Sequence, residues 1–517
     1  MTSATADDSR DQESIFAFLT DPVTHPQAKR IDTHAASVFL EGSRALKIKR
    51  AVRLPFLDYS TLEQRKTACD EEIRINRQFA PQIYRRVVPI TRNDDGSLSI
   101  DGSGAPVEYA VEMTRFDERQ TIDRLAEAGP LDPGLVEAIA DAIAASHAAA
   151  PRVPAEHWIE SIPHFIADSI AAFRAAACFP ADDIDELAKA SQLAFFHLHG
   201  LLEQRRRQGY VRRCHGDLHL GNIVVIEQRP VLFDAIEFDE KVASIDVLYD
   251  LAFPLMDLLR YGRQAEANGL LNRYLSITSD ENLGALAAFP LLLSIRAAIR
   301  AHVLLARLGR SNAEKAPIVE MARAYFELAR ALIHPPEPML IAVGGLSGTG
   351  KSALARRLAP FIGPQPGAVV VRSDVLRKQL FEVGETERLP ADAYLPEVSE
   401  RIYDALGQDA AHIVSQGHSV VADAVFAREA ERAAIEDAAR RLGIRFVGLF
   451  LVADLQTRQN RVLRRGPDAS DATAEVAGLQ EKYNIGTLDW TSINACGSLD
   501  TTLEQCRTRI ADFQATH

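Results

Sequence analysis

Between residues 36 and 49, apolar and polar side chains alternate in two short stretches, Ala36 to Leu40 and Arg44 to Lys49, joined by Glu41-Gly42-Ser43. Alternation across a glycine-bearing turn predicts a β-hairpin. Thr61 to Phe79 then predicts a helix and Val107 to Met113 another strand. From Pro133 the pattern turns helical: Leu135, Ile139, Ile143 and His147 recur every four residues, the spacing of one helix face. A strand-and-loop stretch, Val211 to Phe238, interrupts before helices resume through Ile333. A small β-rich section followed by a larger helical one predicts an α+β bilobal fold with a cleft between the lobes.

The run His334-Pro335-Pro336-Glu337-Pro338 cannot continue a helix and favours a stiff extended linker. Beyond it the period changes again. Strands are predicted at Leu340–Val343, Val369–Val371, Ser419–Ala422 and Phe446–Val452. Helices are predicted at Ser352–Ala359, Glu397–Gln416, Arg428–Leu442 and Leu455–Arg465. Strands alternating with helices predict an α/β domain with a parallel sheet. The chain thus divides into a polar N-terminal segment (1–30), a first domain (31–333), a linker (334–338) and a second domain (339–517).

Composition narrows the function. At 517 residues the chain is too long for one compact domain. Lys+Arg total 58 against Asp+Glu 71, a net charge of −13. Proteins that track long nucleic acids carry a basic surplus, so nucleic acid is disfavoured as a partner, although a short 5′-end needs only a local basic pocket. The five cysteines, Cys69, Cys178, Cys214, Cys496 and Cys506, form no C-x-x-C pair, which excludes a disulfide framework and fits a reducing compartment. Met1 to Glu13 is polar and acidic without a signal pattern. The longest apolar stretch, Ala285 to Ile295, contains Pro290 and falls short of a membrane span. These features predict a cytoplasmic protein with no membrane partner; oligomeric state is not legible.

Gly345-Leu-Ser347-Gly348-Thr349-Gly350-Lys351-Ser352 fits G-x-x-x-x-G-K-[ST] in full, between a predicted strand and a predicted helix. Glycines let the backbone curl so that successive N–H groups and the helix N-terminus face an anion. Lys351 places a charge on the β- and γ-phosphates of ATP, and the Ser352 hydroxyl can ligate Mg2+. Asp423, at the end of a predicted strand, falls beside this loop as a Mg2+ partner. Asp374, in Arg372-Ser-Asp-Val-Leu-Arg377, is a carboxylate able to take a proton from an acceptor hydroxyl. Arg461, Arg464 and Arg465, before Gly466-Pro467-Asp468, form an arginine-bearing helix and loop of the kind that closes over a transferring phosphate.

These motifs resemble the small P-loop kinases related to phage polynucleotide 5′-kinase, chloramphenicol phosphotransferase and gluconate kinase, over nearly all of residues 339 to 517. The resemblance implies a P-loop NTPase fold, Asp374 as general base and Arg377 as a group holding the acceptor. It fixes the reaction class and leaves the acceptor open.

The first domain carries a second constellation, His215-Gly-Asp217-Leu-His-Leu-Gly-Asn222 followed by Val231-Leu-Phe-Asp234. Phosphoryl transfer on the kinase fold needs a base near the acceptor hydroxyl and two side chains that hold Mg2+. Asp217 has the spacing of the base, Asn222 and Asp234 that of the metal ligands. His215 and His219 read alternatively as a metal pair, but no third ligand shares their spacing. Upstream, Ala45-Leu-Lys47 places Lys47 where it reaches the α- and β-phosphates, with Lys49 on the same strand face as the alternative. Glu72 on the following helix is the expected partner of that lysine, because Ile75 and Phe79 then fall on the buried face; Glu71 is the second choice. The strand ending at Met113 becomes the hinge that grips adenine.

This part resembles the aminoglycoside phosphotransferase and choline kinase group of the protein-kinase-like fold. It departs from the protein kinases in having Thr33-His34-Ala-Ala-Ser37 in place of a G-x-G-x-x-G loop, no arginine before Asp217, no glycine after Asp234 and no A-P-E segment, which favours a small acceptor. Asp246 and Asp250 correspond to a helical segment that buttresses the site. The whole chain resembles a fusion found in bacteria, a phosphotransferase-like kinase followed by a P-loop kinase. The resulting expectation is an ATP- and Mg2+-dependent phosphotransferase with two nucleotide sites, each acting on a hydroxyl of a small molecule. Two alternatives stand beside it: the first domain as a sensor that gates the second, or the P-loop domain as a polynucleotide 5′-hydroxyl kinase.

Overall fold

The computed structural model describes residues 6–33, 35–54, 57–308, 315–466 and 468–516. His34 of the expected phosphate-covering stretch, Pro467 of the lid loop and residues 1–5 of the N-terminal segment lie outside them. The chain forms two compact units, Met1–His164 with Gly200–Asp257 and Phe165–His199 with Leu258–His517.

The first unit is built on a six-stranded antiparallel sheet, in the order Lys29–Asp32, Ala36–Glu41, Arg44–Lys49, Ala105–Thr114, Tyr84–Arg92, Leu98–Ile100. The predicted hairpin is its second and third strands, with Val38 opposite Lys47. The helix Leu62–Phe79 starts on a capping box, the Thr61 hydroxyl accepting from the Gln64 N–H while the Gln64 side chain reaches back. It packs on the strands Ala105–Thr114 and Tyr84–Arg92.

Besides the short strands Lys29–Asp32 and Leu98–Ile100, which the pattern does not predict, two longer elements differ from expectation. The N-terminal segment is not a polar tail: Ala6–Leu19 is a helix whose Ile15, Phe16 and Leu19 are buried with Phe39, Leu46 and Ile48. Those three residues share one helical face, and sheet burial stabilises the turn they lie on. Buried Gln12 fastens the same helix, its Nε2 donating to the Lys49 carbonyl at 2.8 Å and to Glu108 Oε2 at 2.9 Å. The strand Tyr84–Arg92 was not anticipated. It carries Pro89, which argues against an interior strand, but Pro89 stands beside a register shift between Ile90 and Thr91, where the ladder is already irregular.

The second unit holds a five-stranded parallel sheet in the order Val369–Arg372, Val420–Asp423, Met339–Gly345, Arg445–Val452, Thr491–Asn494. All seven residues of Met339–Gly345 are buried, as a central strand requires. The helices Lys351–Leu358, Pro396–Ser415, Glu429–Arg441 and Leu455–Arg464 stand within a residue or two of their expected bounds. The closing strand Thr491–Asn494 and the helix Leu499–Thr516 were not foreseen. The apolar stretch extends beyond Ala285–Ile295: Leu283–Leu305 is long and apolar enough to cross a membrane, but most of it is buried within the protein.

This unit also takes in helices that precede the Pro-rich segment. Gln264–Asn282 lies along the edge strand Val369–Arg372. Asn272 Oδ1 accepts from the Val370 N–H at 2.7 Å, and the Asn268 and Asn272 amides donate to the Ala368 carbonyl at 3.0 and 3.1 Å. Gln264 Nε2 donates to the Pro360 carbonyl at 2.7 Å. The amides thus satisfy backbone groups that an edge strand would otherwise present unpaired.

Candidate active sites

In the first unit, the lysine strand, the helix behind it and the loop after His215 converge. Lys47 Nζ lies 2.8 Å from Glu72 Oε1 and 2.6 Å from Asp234 Oδ1. Lys49 reaches the other oxygen of the same glutamate at 2.6 Å and also pairs with Glu237. Glu72 is fully buried, so two ammonium groups share one carboxylate, and Lys47 alone of the two continues to Asp234. Glu71 instead pairs with Arg74 on the surface.

Burial works against charge on Glu72, yet the two lysines hold its carboxyl below the usual range. Desolvation by the cleft walls opposes charge on Asp234 too, and the Lys47 ammonium overrides it, holding the carboxyl down at about 2. Asp234 adopts a left-handed backbone (φ 61°) that costs a non-glycine residue energy. Its surroundings impose that turn: the Tyr84 hydroxyl accepts from the Asp234 N–H at 3.1 Å, and Asn76 brackets Ala235 through both its N–H (2.7 Å) and its carbonyl (3.1 Å).

The loop carrying Asp217 is pinned from below. Asp250 accepts from the backbone N–H groups of His215 (3.2 Å) and Gly216 (3.0 Å), as its buttressing role predicts. Asp246 pairs with buried Arg205 at 2.7 Å. The His215 ring bonds the Phe233 carbonyl at 2.9 Å, tying the loop to the strand that delivers Asp234. Asn222 Nδ2 donates to the Asp217 carbonyl at 2.9 Å, so the amide is oriented and its oxygen stays available. Asp217 is partly exposed. Met113 packs with Tyr84, Val111 and Val231 beside Phe116 and Phe233, an apolar wall suited to a flat base.

In the second unit the phosphate loop opens into a cavity of about 1240 Å³. Ser347, Gly348, Thr349, Gly350, Lys351, Ser352, Asp374, Arg377, Asp423, Arg461 and Arg465 all line it. Gly345 does not; its N–H donates to the Val425 carbonyl at 3.0 Å, anchoring the loop to the sheet. Gly348 has φ +86°, and a Cβ there would stand 2.5 Å from the Arg458 backbone oxygen. Lys351 Nζ donates to the Leu346 carbonyl at 3.3 Å, and Arg461 bridges the Thr349 and Gly497 carbonyls at 3.2 and 2.8 Å. Arg465 instead holds its own loop, donating to the Ser470 and Ala472 carbonyls.

Asp423 ends its strand opposite Val343, at the carboxyl edge where parallel sheets bind ligands. Asp374 lies in the first turn of the helix Ser373–Leu380. Burial, then the neighbouring Asp423, push its carboxyl above the ordinary range despite Lys351 and Arg372. Burial likewise draws Lys351 below its usual value against those same carboxylates. Two buried carboxylates beside one lysine and one hydroxyl suit a hard divalent cation with a phosphate chain, since added positive charge relieves their repulsion. Arg377 donates to the Ala393 carbonyl at 2.5 Å, lies 5.0 Å over the Tyr394 ring, and keeps a buried Nε with no hydrogen-bond partner among the described residues.

Sequence reasoning missed Arg372. It is nearly buried, with its guanidinium 2.7 Å from Asp468 and 3.3 Å from Asp423. It missed too the far wall of the cavity, Tyr394, Tyr403, Arg428 and Glu431, and the turn Gly497–Leu499 after the last strand. A cation closing an apolar strand was the available signal for Arg372; the others carry no spacing motif.

Residues 38–289 match the model of the phosphotransferase enzyme family and residues 340–483 that of the AAA domain. Uncharacterised proteins of Mycobacterium tuberculosis and Mycobacterium bovis are 28% identical over 459 residues, spanning 86% of this chain and 88% of theirs. Among solved structures, a choline/ethanolamine kinase family protein from Mesorhizobium loti aligns at 14% identity and a TM-score of 0.39, covering 62% of this chain and 94% of that one. A gluconokinase from Sinorhizobium meliloti aligns at 17% identity and a TM-score of 0.26, covering 35% and 99%.

Proposed function

From a chain that is an ATP-dependent kinase, with a phosphotransferase-family domain at residues 38–289 and a P-loop domain at 340–483, we propose two working phosphotransfer sites, each acting on a small-molecule hydroxyl. The observation that carries this reading is that each compact unit brings its own phosphate-binding lysine together with its own carboxylates.

In the first site Lys47, oriented by Glu72, takes the α- and β-phosphates while the strand ending at Met113 grips adenine. Asn222 and Asp234 would hold Mg2+, and Asp217 accepts the proton of the acceptor hydroxyl. In the second site the backbone from Ser347 to Ser352, anchored to the sheet through Gly345, cradles the phosphates, Lys351 faces the β/γ bridge, and Ser352 with Asp423 would hold Mg2+. Arg461 and Arg465 flank the transferring group and Arg377 steadies the acceptor. Magnesium, when bound, neutralises charge on the β- and γ-phosphate oxygens. As the acceptor oxygen bonds to the γ-phosphorus, the bond to the β,γ-bridging oxygen breaks, ADP leaves and the acceptor proton passes to Asp374. The raised affinity of Asp374 for a proton suits it to that role.

The test is mass spectrometry of a cell extract incubated with the protein and ATP labelled in its γ-phosphate with heavy oxygen. Asp217→Asn and Lys351→Ala are each expected to delete a different set of labelled products, by about 100-fold or more. If Asp217→Asn deletes none while Lys351→Ala deletes all, the first unit is a sensor rather than an enzyme. Label on a 5′-hydroxyl oligonucleotide would assign the second site to nucleic-acid ends.

A further inference from the structure

Arg372 stands behind the cavity and holds three carboxylates from three places: Asp468 of the lid loop at 2.7 Å, Asp423 at 3.3 Å and Glu385 at 3.7 Å. Glu385 spends its other oxygen on Arg273, at 3.3 Å. Arg273 belongs to the helix Gln264–Asn282, whose neighbouring Asn272 is bonded to the strand that ends in Arg372. A continuous chain of charge, Arg273–Glu385–Arg372–Asp423, therefore runs within one compact unit from a helix that precedes the Pro-rich segment to the floor of the phosphate-loop site.

We propose that Arg273, Glu385 and Arg372 are positioning residues that set how much of the Asp423 charge is available to the magnesium–nucleotide complex. This inference rests on the reading of the second site as a Mg2+–nucleotide site. A guanidinium divides its attraction among the carboxylates around it. While Glu385 and Asp468 draw on Arg372, it lies at the long end of hydrogen-bonding range from Asp423, and that carboxylate keeps its negative field facing the cavity. If Glu385 loses its charge, Arg372 settles onto Asp423 and neutralises it. Arg273 acts one step back, fixing Glu385 so that one oxygen faces Arg372. It thereby makes the docked position of the helix Gln264–Asn282 a condition of metal binding.

Arg273 and Glu385 are each about one-third exposed (33% and 40%), so their pair adds little to folding and can be removed without losing the structure. The experiment is calorimetric titration of ADP, with and without Mg2+, into the full chain carrying Lys47→Met to silence the first site. Glu385→Gln and Arg273→Ala are expected to weaken Mg2+-dependent ADP binding by about threefold to tenfold, leaving metal-free ADP binding unchanged. Arg273→Lys should stay near the parent, and the double variant should be no worse than Glu385→Gln alone, because both act through one guanidinium. Unchanged Mg2+ dependence in either single variant, additive losses, or an equal loss of metal-free binding would overturn the proposal. A parent with no Mg2+-dependent binding would instead remove the nucleotide reading of the site, and the inference with it.

Discussion

Asp374 carries an electrostatic conflict that can be measured. It is driven toward its protonated form by burial and by Asp423, so the folded state binds its proton more tightly than the unfolded chain does. Raising the pH through the folded-state value therefore costs stability. Asp374→Asn is expected to raise the unfolding temperature at neutral pH, and the gain should vanish toward about pH 3, where the aspartate is itself protonated. The same variant should lose about 100- to 10,000-fold in transfer at the second site. Thermal unfolding across pH checks the first claim, and a variant less stable than the parent at neutral pH would refute the repulsion. Lys49 poses the opposite case. It is almost fully buried between Glu72 and Glu237, so Lys49→Met takes this partner from Glu237 and leaves Glu72 with Lys47, and should cost about 3–5 kcal/mol in urea unfolding. Asp217, Asn222, Asp234 and Lys351 could be nominated from the sequence because phosphate chemistry calls for residues of these types at this spacing. Lys49 and Arg372 were less so, because their importance lies in partners far away in sequence.

At the scale of elements, the phosphate loop works through a close approach that only glycine permits. A methyl at Gly348 would press on the backbone oxygen of Arg458 while forcing a left-handed conformation on an ordinary residue. Gly348→Ala should therefore weaken ATP binding at this site by about tenfold or more, read by the same calorimetry. The N-terminal helix makes a second case. Phe16 is buried and touches Phe39 with ring centroids 5.5 Å apart, so Phe16→Ala should cost about 3–5 kcal/mol, seen in the urea unfolding of the β-rich unit. A shift under about 1 kcal/mol would mean the helix is not docked in solution. The hairpin and most helices of the second unit could be read from periodicity. This helix could not, because only its last two turns are apolar and the acidic residues before them dominate the average. The strands Tyr84–Arg92 and Thr491–Asn494 were hidden by an internal proline in one and by brevity in the other.

For the whole molecule, the covalent boundary and the packing boundary fall in different places. The prolines from Pro335 to Pro338 lie between the two family matches, 38–289 and 340–483. Yet Gln264, Asn268 and Asn272 lie in the same compact unit as the parallel sheet and bond its backbone at Pro360, Ala368 and Val370. Polar residues on a helix read as a solvated face, so nothing in the one-dimensional pattern reveals that they cap a sheet edge. A protease site placed within residues 334–338 tests this directly. Cleavage at this exposed stretch divides the chain of one compact unit, so the two fragments should co-elute in size-exclusion chromatography. Asn268→Ala with Asn272→Ala removes three hydrogen bonds, each worth about 1 kcal/mol, and leaves the Val370 N–H and Ala368 carbonyl without those partners. The cleaved double variant should dissociate at a concentration at which the cleaved parent does not, and the released P-loop fragment, with its edge strand bare, should self-associate. Fragments of the cleaved parent that separate at once would show that the asparagine contacts do not hold the sheet edge.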